Sequence, residues 1–347
     1  MSTAHASLRV VHAGPLVTMQ DAGRFGRLRF GIAGSGPMDR LAHAAANAAV
    51  GNDRRATAIE VSRAGATFEC GARPVTVSVC GGGAVVECAG DRLDSWSVVT
   101  MTPGDRLSIT AGAWGSWTYL AIAGTLDAAR WLGSASTHSI AGLGGGALRS
   151  GQVVPIIEPR VDADRDGSLA SALDVVSGSA LRSAPIRVVL GPQEHRFVAE
   201  AGEALLASRY TLTDAYDRMG MRLDGAALLH RDALSIPSEP IVRGSIQVAG
   251  DGIPTVLLAD HQTTGGYPKI ATVVSSDLDR LVQHRPSDTI RFEAITPADA
   301  IDAARRYAHV VDATLEEVGR SGRNFAARLL REDLIGDTAA SVADDEG

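Results

Sequence analysis

Short apolar runs broken by glycine set the rhythm of this chain. PVTVSVCGG (74–82), AVVECAG (84–90), SWSVVTMTPGDRLSITAG (95–112) and SWTYLAIAG (116–124) are examples. In the first, Val75, Val77 and Val79 alternate with Thr76, Ser78 and Cys80, the period of a strand with one face buried. Turn residues recur at roughly the 8–12-residue spacing of a barrel or sandwich. Two turns echo each other: TPGDRLSI (102–109) and RPSDTIRF (285–292) both place Pro-x-Asp before an alternating run, predicting a tight turn that feeds a strand. Helical periodicity is confined to a few segments. One is 36–52, with Pro37 at the first helical position, Asp39 at the positive end of the dipole and Gly51 closing the C-terminus. A second, 194–210, follows a strand at 186–191. A third, 296–319, opens with a Thr cap and Pro at the first helical position and is expected to pack on the outside.

The pattern predicts a mainly β (β-rich α+β) fold in two lobes with few peripheral helices. The expected divisions are an N-terminal β-rich lobe at 8–160, a linker at 161–185 rich in Asp, Ser, Ala and Gly, and a C-terminal β-barrel lobe at 186–295. A helical extension at 296–335 and a disordered acidic tail at 336–347 follow.

Composition narrows the function classes. Of 347 residues, 45% are hydrophobic but only 4% aromatic, so aliphatic side chains must build the core. The formal net charge of −7, without a basic stripe, argues against nucleic acid as a partner. Without an apolar run of about 18 residues no membrane span is expected, and no secretory signal pattern opens the chain. Cys70, Cys80 and Cys88 form no CxxC pair, which fits buried thiols in a reducing compartment and a cytoplasmic location. Dispersed histidines provide no metal-ligand spacing, so no residues are assigned to a metal and a metal requirement stays open.

The stretch LLADHQTTGGYPKIATV (257–273) concentrates the candidate chemistry, because Lys269 is the only lysine among 33 Lys plus Arg. Asp260 ends a strand, where its side chain can face a cleft; Gln262, Thr263 and Thr264 supply neutral hydrogen-bonding groups. Gly265 and Gly266 permit positive φ, which would let consecutive N–H groups converge on an anion beside a compact ammonium. The glycines do not fit a P-loop. His261 reads as a surface or structural histidine. GSGP (34–37) before a helix is a weak candidate anion site. Asp217–Arg218 reads as a hairpin salt bridge or a bidentate carboxylate clamp.

Several ordered motifs then converge. VTMQDAGRFG (17–26), GSGPMDRLAHAAANAAVGN (34–52), AIE (58–60), WLGSAST (131–137), GGGALRSGQ (144–152), GPQ (191–193), DRMGMRLDG (217–225), SEPIVRGSIQV (238–248) and 257–273 together resemble the biotin-dependent carboxyltransferase family, which includes allophanate hydrolase subunit 2, KipA and the C subunit of 5-oxoprolinase. The resemblance spans roughly residues 8–295. It departs from the family pattern at Ala135, Tyr216, Pro240 and His261, which leaves two cations fewer near the anticipated site.

The resemblance implies a cyclophilin-like β-barrel architecture, a KipI-like B subunit as partner, and in the oxoprolinase an A subunit as well. It implies a small-molecule substrate and ATP, bound here or elsewhere in the complex; this chain carries no covalent biotin site. Three functions follow: a 5-oxoprolinase-type hydrolase active only with its partners, a carboxyltransferase half-site, or a non-catalytic antagonist of a KipI-like kinase inhibitor. For the first, Lys269 and the Gly265 and Gly266 amides would stabilise developing negative charge, and Asp260 would act as base or orient Lys269. Gln262, Thr263, Thr264 and Tyr267 would position substrate, and Arg218 would hold its carboxylate. Gln20, Asp21, Ser35 and Asp39 would contribute from the N-terminal half across an inter-lobe cleft.

Overall fold

The computed structural model describes residues 6–170, 182–231 and 235–321. The N-terminal lobe pairs two largely antiparallel sheets. One has seven strands, in the order Thr125–Leu126, Val153–Ile157, Ala6–Ala13, Ala66–Cys70, Arg106–Thr110, Val85–Cys88 and Asp91–Leu93. The other has six: Gly167–Ser168, Ser97–Met101, Val75–Cys80, Trp117–Ile122, Ala58–Ser62 and Thr18–Gln20. Leu8, Val10, Phe68, Val77, Ile109 and Leu120 fill the space between the sheets.

The second lobe is one eight-stranded sheet running from Thr289–Ile290 through Tyr210–Tyr216, Gly220–Asp224, Pro254–Leu257, Ser245–Val248, Lys269–Val273 and Ile186–Leu190 to Phe292–Ala294. Its two edge strands are separated in sequence by Arg291 alone, so the chain itself ties the edges into a nearly closed barrel. The fold is therefore mainly β. Gly167–Ser168 of the 161–185 segment pairs with Ser97–Met101 of the first lobe. Residues 171–181 of that segment, 322–335 of the expected helical extension and the 336–347 tail lie outside the described residues.

The helices sit close to their expected places. Helix α1 is Arg40–Ala49, with Asp39 as its cap: the Ala42 amide donates to the Asp39 carboxylate at 2.9 Å. It begins three residues after Pro37, because Gly36, Pro37 and Met38 are drawn into contacts with the second lobe. Helix α2 is Ala199–Ala207, shorter than 194–210, since Glu194–Arg196 forms a separate 3₁₀ turn. Helix α3 is the short Leu278–Leu281. Helix α4 is Pro297–Ser321 and packs against α1. The two echoed turns behave alike: Asp105 accepts from the Thr102 amide and Asp288 from the Arg285 amide, each just before a strand.

One strand departs from its pattern. All six residues of Val75–Cys80 are buried, because α1 covers the face that Thr76, Ser78 and Cys80 present. Small side chains permit the approach, and Ser78 Oγ donates to the Ala46 carbonyl.

One apolar cluster runs through both lobes, with Met38, Leu41 and Trp117 from the first and Leu278, Leu281 and Val282 from the second, and polar groups cross the same seam. Arg218, from the second lobe, is 1% exposed and donates to Asp260 at 2.9 and 3.0 Å, to the Gly36 carbonyl at 2.8 Å, and to Glu60 of the first lobe. Glu60 also accepts from Tyr119 Oη at 2.6 Å and the Met38 amide at 2.8 Å. Gln283 accepts from the Ser116 and Trp117 amides and donates to Asp39 at 2.7 Å. Arg40 pairs with Asp279 at 3.0 Å.

Removing one partner of a buried ion pair leaves uncompensated charge. Arg218→Met should therefore destabilise the protein by about 3–5 kcal/mol, and adding Glu60→Gln and Asp260→Asn should recover part of that loss in urea titrations. A second expectation concerns pH. Burial pushes the His43 imidazole down to about 4, against the opposing pull of the Gln20 carbonyl. An unfolded histidine titrates near 6.5, so between these values the unfolded chain binds the extra proton. The stability that neutral His43 contributes is thus present above about pH 6.5 and is lost as pH falls towards 4. Relative to His43→Gln, the natural chain should lose on the order of 3 kcal/mol across that window, read as unfolding free energy at each pH.

Candidate functional site

The motif that holds the only lysine folds as a strand end, a polar turn, a two-residue ribbon and a second strand. Pro254–Leu257 ends the first strand and Lys269–Val273 begins the second. Between them, Thr264–Gly265 pairs antiparallel with Glu239–Pro240. The Ile241 amide donates to the Thr263 carbonyl at 3.0 Å, and the Ile236 amide to the Gly266 carbonyl at 2.8 Å. Gln262 Nε2 donates to Gln247 at 3.2 Å. Thr264 and Tyr267 are exposed, while Gln262 and Thr263 are half-buried.

Gly265 and Gly266 do not adopt positive φ, so they do not build the expected anion-holding turn. They serve close approach instead. A Cβ on Gly265 would lie 2.5 Å from Ile241 Cδ1, and one on Gly266 3.1 Å from the Ile236 carbonyl oxygen.

Lys269 is 2% exposed, and its Nζ has no hydrogen-bond partner among the described residues. Its ionic neighbour is Glu239 Oε2 at 3.8 Å, a side chain 47% exposed. Gln193 ties these elements together. Its Oε1 accepts the Lys269 backbone N–H at 3.0 Å, its own N–H donates to the Lys269 carbonyl at 3.1 Å, and its Nε2 donates to Glu239 Oε2 at 2.5 Å. Sequence reasoning placed Gln193 and Glu239 inside motifs but assigned them no role. Their signal, a polar side chain beside Pro192 and another beside Pro240, carries nothing without the pairing of distant strands.

Asp260 is not oriented towards Lys269. It is 1% exposed and held by Arg218 and by the Ser139 amide at 3.0 Å. Burial would raise its carboxyl, but the Arg218 charge and these hydrogen bonds more than offset that and hold it at about 2. A carboxylate so stabilised is a poor general base near neutrality. Arg218 is likewise unavailable to a substrate carboxylate, because Glu60, Asp260 and the Gly36 carbonyl occupy its guanidinium. Nor does it pair with Asp217, which instead accepts from the Met219 and Gly220 amides in the hairpin turn. His261 is buried rather than on the surface, with Nδ1 2.6 Å from the Gln262 carbonyl oxygen.

The N-terminal candidates separate. Gln20 is buried and donates to Thr18 and to the Thr137 carbonyl. Asp21 is enclosed by Ser134, Ser136 and the Gly23 and Ala135 amides; burial would raise its carboxyl, but these hydrogen bonds hold it below the usual carboxylate value. Ser35 sits at φ 52° with its Oγ buried and without a hydrogen-bond partner among the described residues. Asp39 alone among the four lines an inter-lobe cavity of about 330 Å³, with Trp96, Trp114, Asp279 and Tyr307. Burial, and then the Asp279 carboxylate, push the Asp39 carboxyl up to about 7. The GSGP segment is no open anion site, because the chain's own carboxylates already meet the amides of Met38, Arg40 and Ala42.

The family model for the carboxyltransferase domain, subdomains A and B, matches residues 30–294, and the chain belongs to that family. Among curated relatives it is 33% identical to the 5-oxoprolinase C subunit of Escherichia coli over 305 residues, covering 85% of this chain and 94% of that protein. It is 34% identical to the corresponding C subunit of Haemophilus influenzae, covering 83% and 91%. The urea amidolyase of Lachancea kluyveri is 27% identical, across 95% of this chain but 19% of that protein. Among solved structures, TTHA0988 superposes with a TM-score of 0.73 at 30% identity, covering 84% of this chain and 56% of that one. The K. lactis urea amidolyase, at 23% identity and a TM-score of 0.78, shares the fold over 90% of this chain and 20% of its own length. No helix among the described residues is long and apolar enough to cross a membrane.

A buried ammonium without a hydrogen bond costs stability. Lys269→Met, which keeps the chain length and removes the charge, should therefore raise stability by about 1–3 kcal/mol, measured as a higher urea midpoint with an unchanged slope. A loss of stability would show that the ammonium serves the fold.

Proposed function

We propose that this chain is the C subunit of an ATP-dependent amide or lactam hydrolase, opening 5-oxoproline to glutamate together with partner subunits. Mutual coverage carries this reading. The chain aligns with 94% and 91% of two 5-oxoprolinase C subunits, but with only 16–25% of the urea-acting relatives. It matches nearly the full length of the first and only a part of the second.

In this reading Lys269 donates to the lactam oxygen as that oxygen gathers negative charge, and the buried, water-poor setting strengthens the interaction. Gln193 and the ribbon at Glu239–Pro240 hold the lysine in place. ATP, bound on this chain or on another subunit, would supply the driving force. The partner is a KipI-like B subunit, with an A subunit completing the enzyme. Exposed Phe25, Phe30 and Ile140 suit a chain that works in a complex. Their loops reach the motif: a Cβ on Gly31 would lie 4.0 Å from Thr263 Oγ1, and the Ser139 amide bonds Asp260.

The carboxyltransferase reading rests on the family match and on the fold shared with the urea enzymes. One assay separates the two. The chain assembled with its partner subunits should form glutamate from 5-oxoproline only with ATP and at a rate avidin does not change. In that assembly Lys269→Ala should lower turnover on the order of a hundredfold or more. Lys269→Arg should lower it nearly as far, since a planar guanidinium does not fit a site shaped for an ammonium. Full activity of the Lys269→Ala complex would rule out the central role of the lysine, and avidin-sensitive turnover would favour the carboxyltransferase.

A further inference from the structure

The carboxylate beside Lys269 changes what kind of ligand group the site can take. A single buried ammonium would attract an anion. Here Glu239 stands 3.8 Å away, beyond hydrogen-bond distance, and the pair is close to neutral overall. A carboxylate or phosphate brought to it would meet Glu239 as well as Lys269. The chemistry that satisfies both is a neutral group with an acceptor and a donor side by side.

Three observations point the same way. The Lys269 ammonium is 2% exposed and wholly unpartnered in hydrogen bonding among the described residues. Glu239 is anchored by one oxygen only: Oε2 accepts from Gln193 at 2.5 Å, and no hydrogen bond to Oε1 is found among the described residues. Glu239 is also half exposed, so its side chain can turn aside from an ion pair too long to resist separation.

We propose that Lys269 and Glu239 together recognise the –C(=O)–NH– edge of a cis-amide, a lactam or a ureido group. The carbonyl oxygen accepts from Lys269 Nζ and the adjacent N–H donates to the Glu239 carboxylate. Gln193 is a positioning residue, holding donor and acceptor at their spacing through its contacts to both. The pairing rests on the reading of this site as one that handles amides, and it adds the requirement for a ligand N–H and the residue that reads it.

The chain reports on itself here. With carbon-13 at the lysine Cε position, the full chain gives one lysine side-chain resonance, because Lys269 is the only lysine. That resonance is followed while 2-pyrrolidinone, 5-oxoproline and their N-methyl counterparts are titrated. The N–H lactams should shift it, and the N-methyl lactams should bind roughly tenfold more weakly, the effect of one lost hydrogen bond to a charged group. Glu239→Ala should abolish the difference between the two sets, and Glu239→Gln, which keeps an acceptor, should restore part of it. Equal shifts from both sets overturn the proposal, as does no shift at the solubility limit of either lactam. Should Glu239→Ala fail to fold, the comparison on the natural chain still decides. Turnover by the assembled complex decides the other reading separately. A complex that does not open 5-oxoproline, with a lysine signal that still prefers N–H lactams, removes the oxoprolinase reading and leaves this one. Turnover with an indifferent lysine signal does the reverse.

Discussion

A single arginine surrounded by two carboxylates fixes how the two lobes of this molecule meet. Arg218 rises from the hairpin of the barrel lobe and is buried between Asp260 of its own lobe and Glu60 of the other, with the Gly36 carbonyl taking a further hydrogen. Glu60 is in turn fixed by Tyr119 and the Met38 amide. Such a cluster contributes less net stability than its contacts suggest, because three charges must leave water. What it supplies is register. Neither lobe can shift by a residue without leaving a buried charge unpaired, so the segment before α1, the hairpin and the end of the Pro254–Leu257 strand keep one mutual arrangement.

That constraint sorts the polar residues of the chain. Those engaged on all sides are framework: Arg218, Asp260, Asp21 and Gln283 each have their hydrogen-bonding groups met by named partners. A group that is buried yet unmet stands apart, and the Lys269 ammonium is the clearest example. The distinction is energetic. A satisfied buried group needs nothing further, whereas an unsatisfied one gains by meeting a ligand. The lysine site therefore hangs on a rigid base it does not itself stabilise, the usual relation between a scaffold and the chemistry it carries.

The fold was legible where one principle acted alone. Glycine-broken alternation gave a mainly β chain, and the Asp-closed turns before Arg106–Thr110 and Thr289–Ile290 were readable because a turn is a local matter. Val75–Cys80 reads as half-buried yet is buried on both faces, since the helix that covers its second face lies elsewhere in sequence. The site was legible as a stretch but not as a set of partners. Asp260 and Lys269 lie nine residues apart, yet Asp260 pairs across 42 residues with Arg218, and the lysine's neighbours Gln193 and Glu239 lie far along the chain.

Sequence by itself determined the strand-rich rhythm, the aliphatic core, the family and the singular lysine, because each is written in local spacing or composition. Only tertiary structure decided which carboxylate faces that lysine and which arginine is locked in the seam. Charges choose partners by distance and burial, and both are properties of segments brought together from separate parts of the chain.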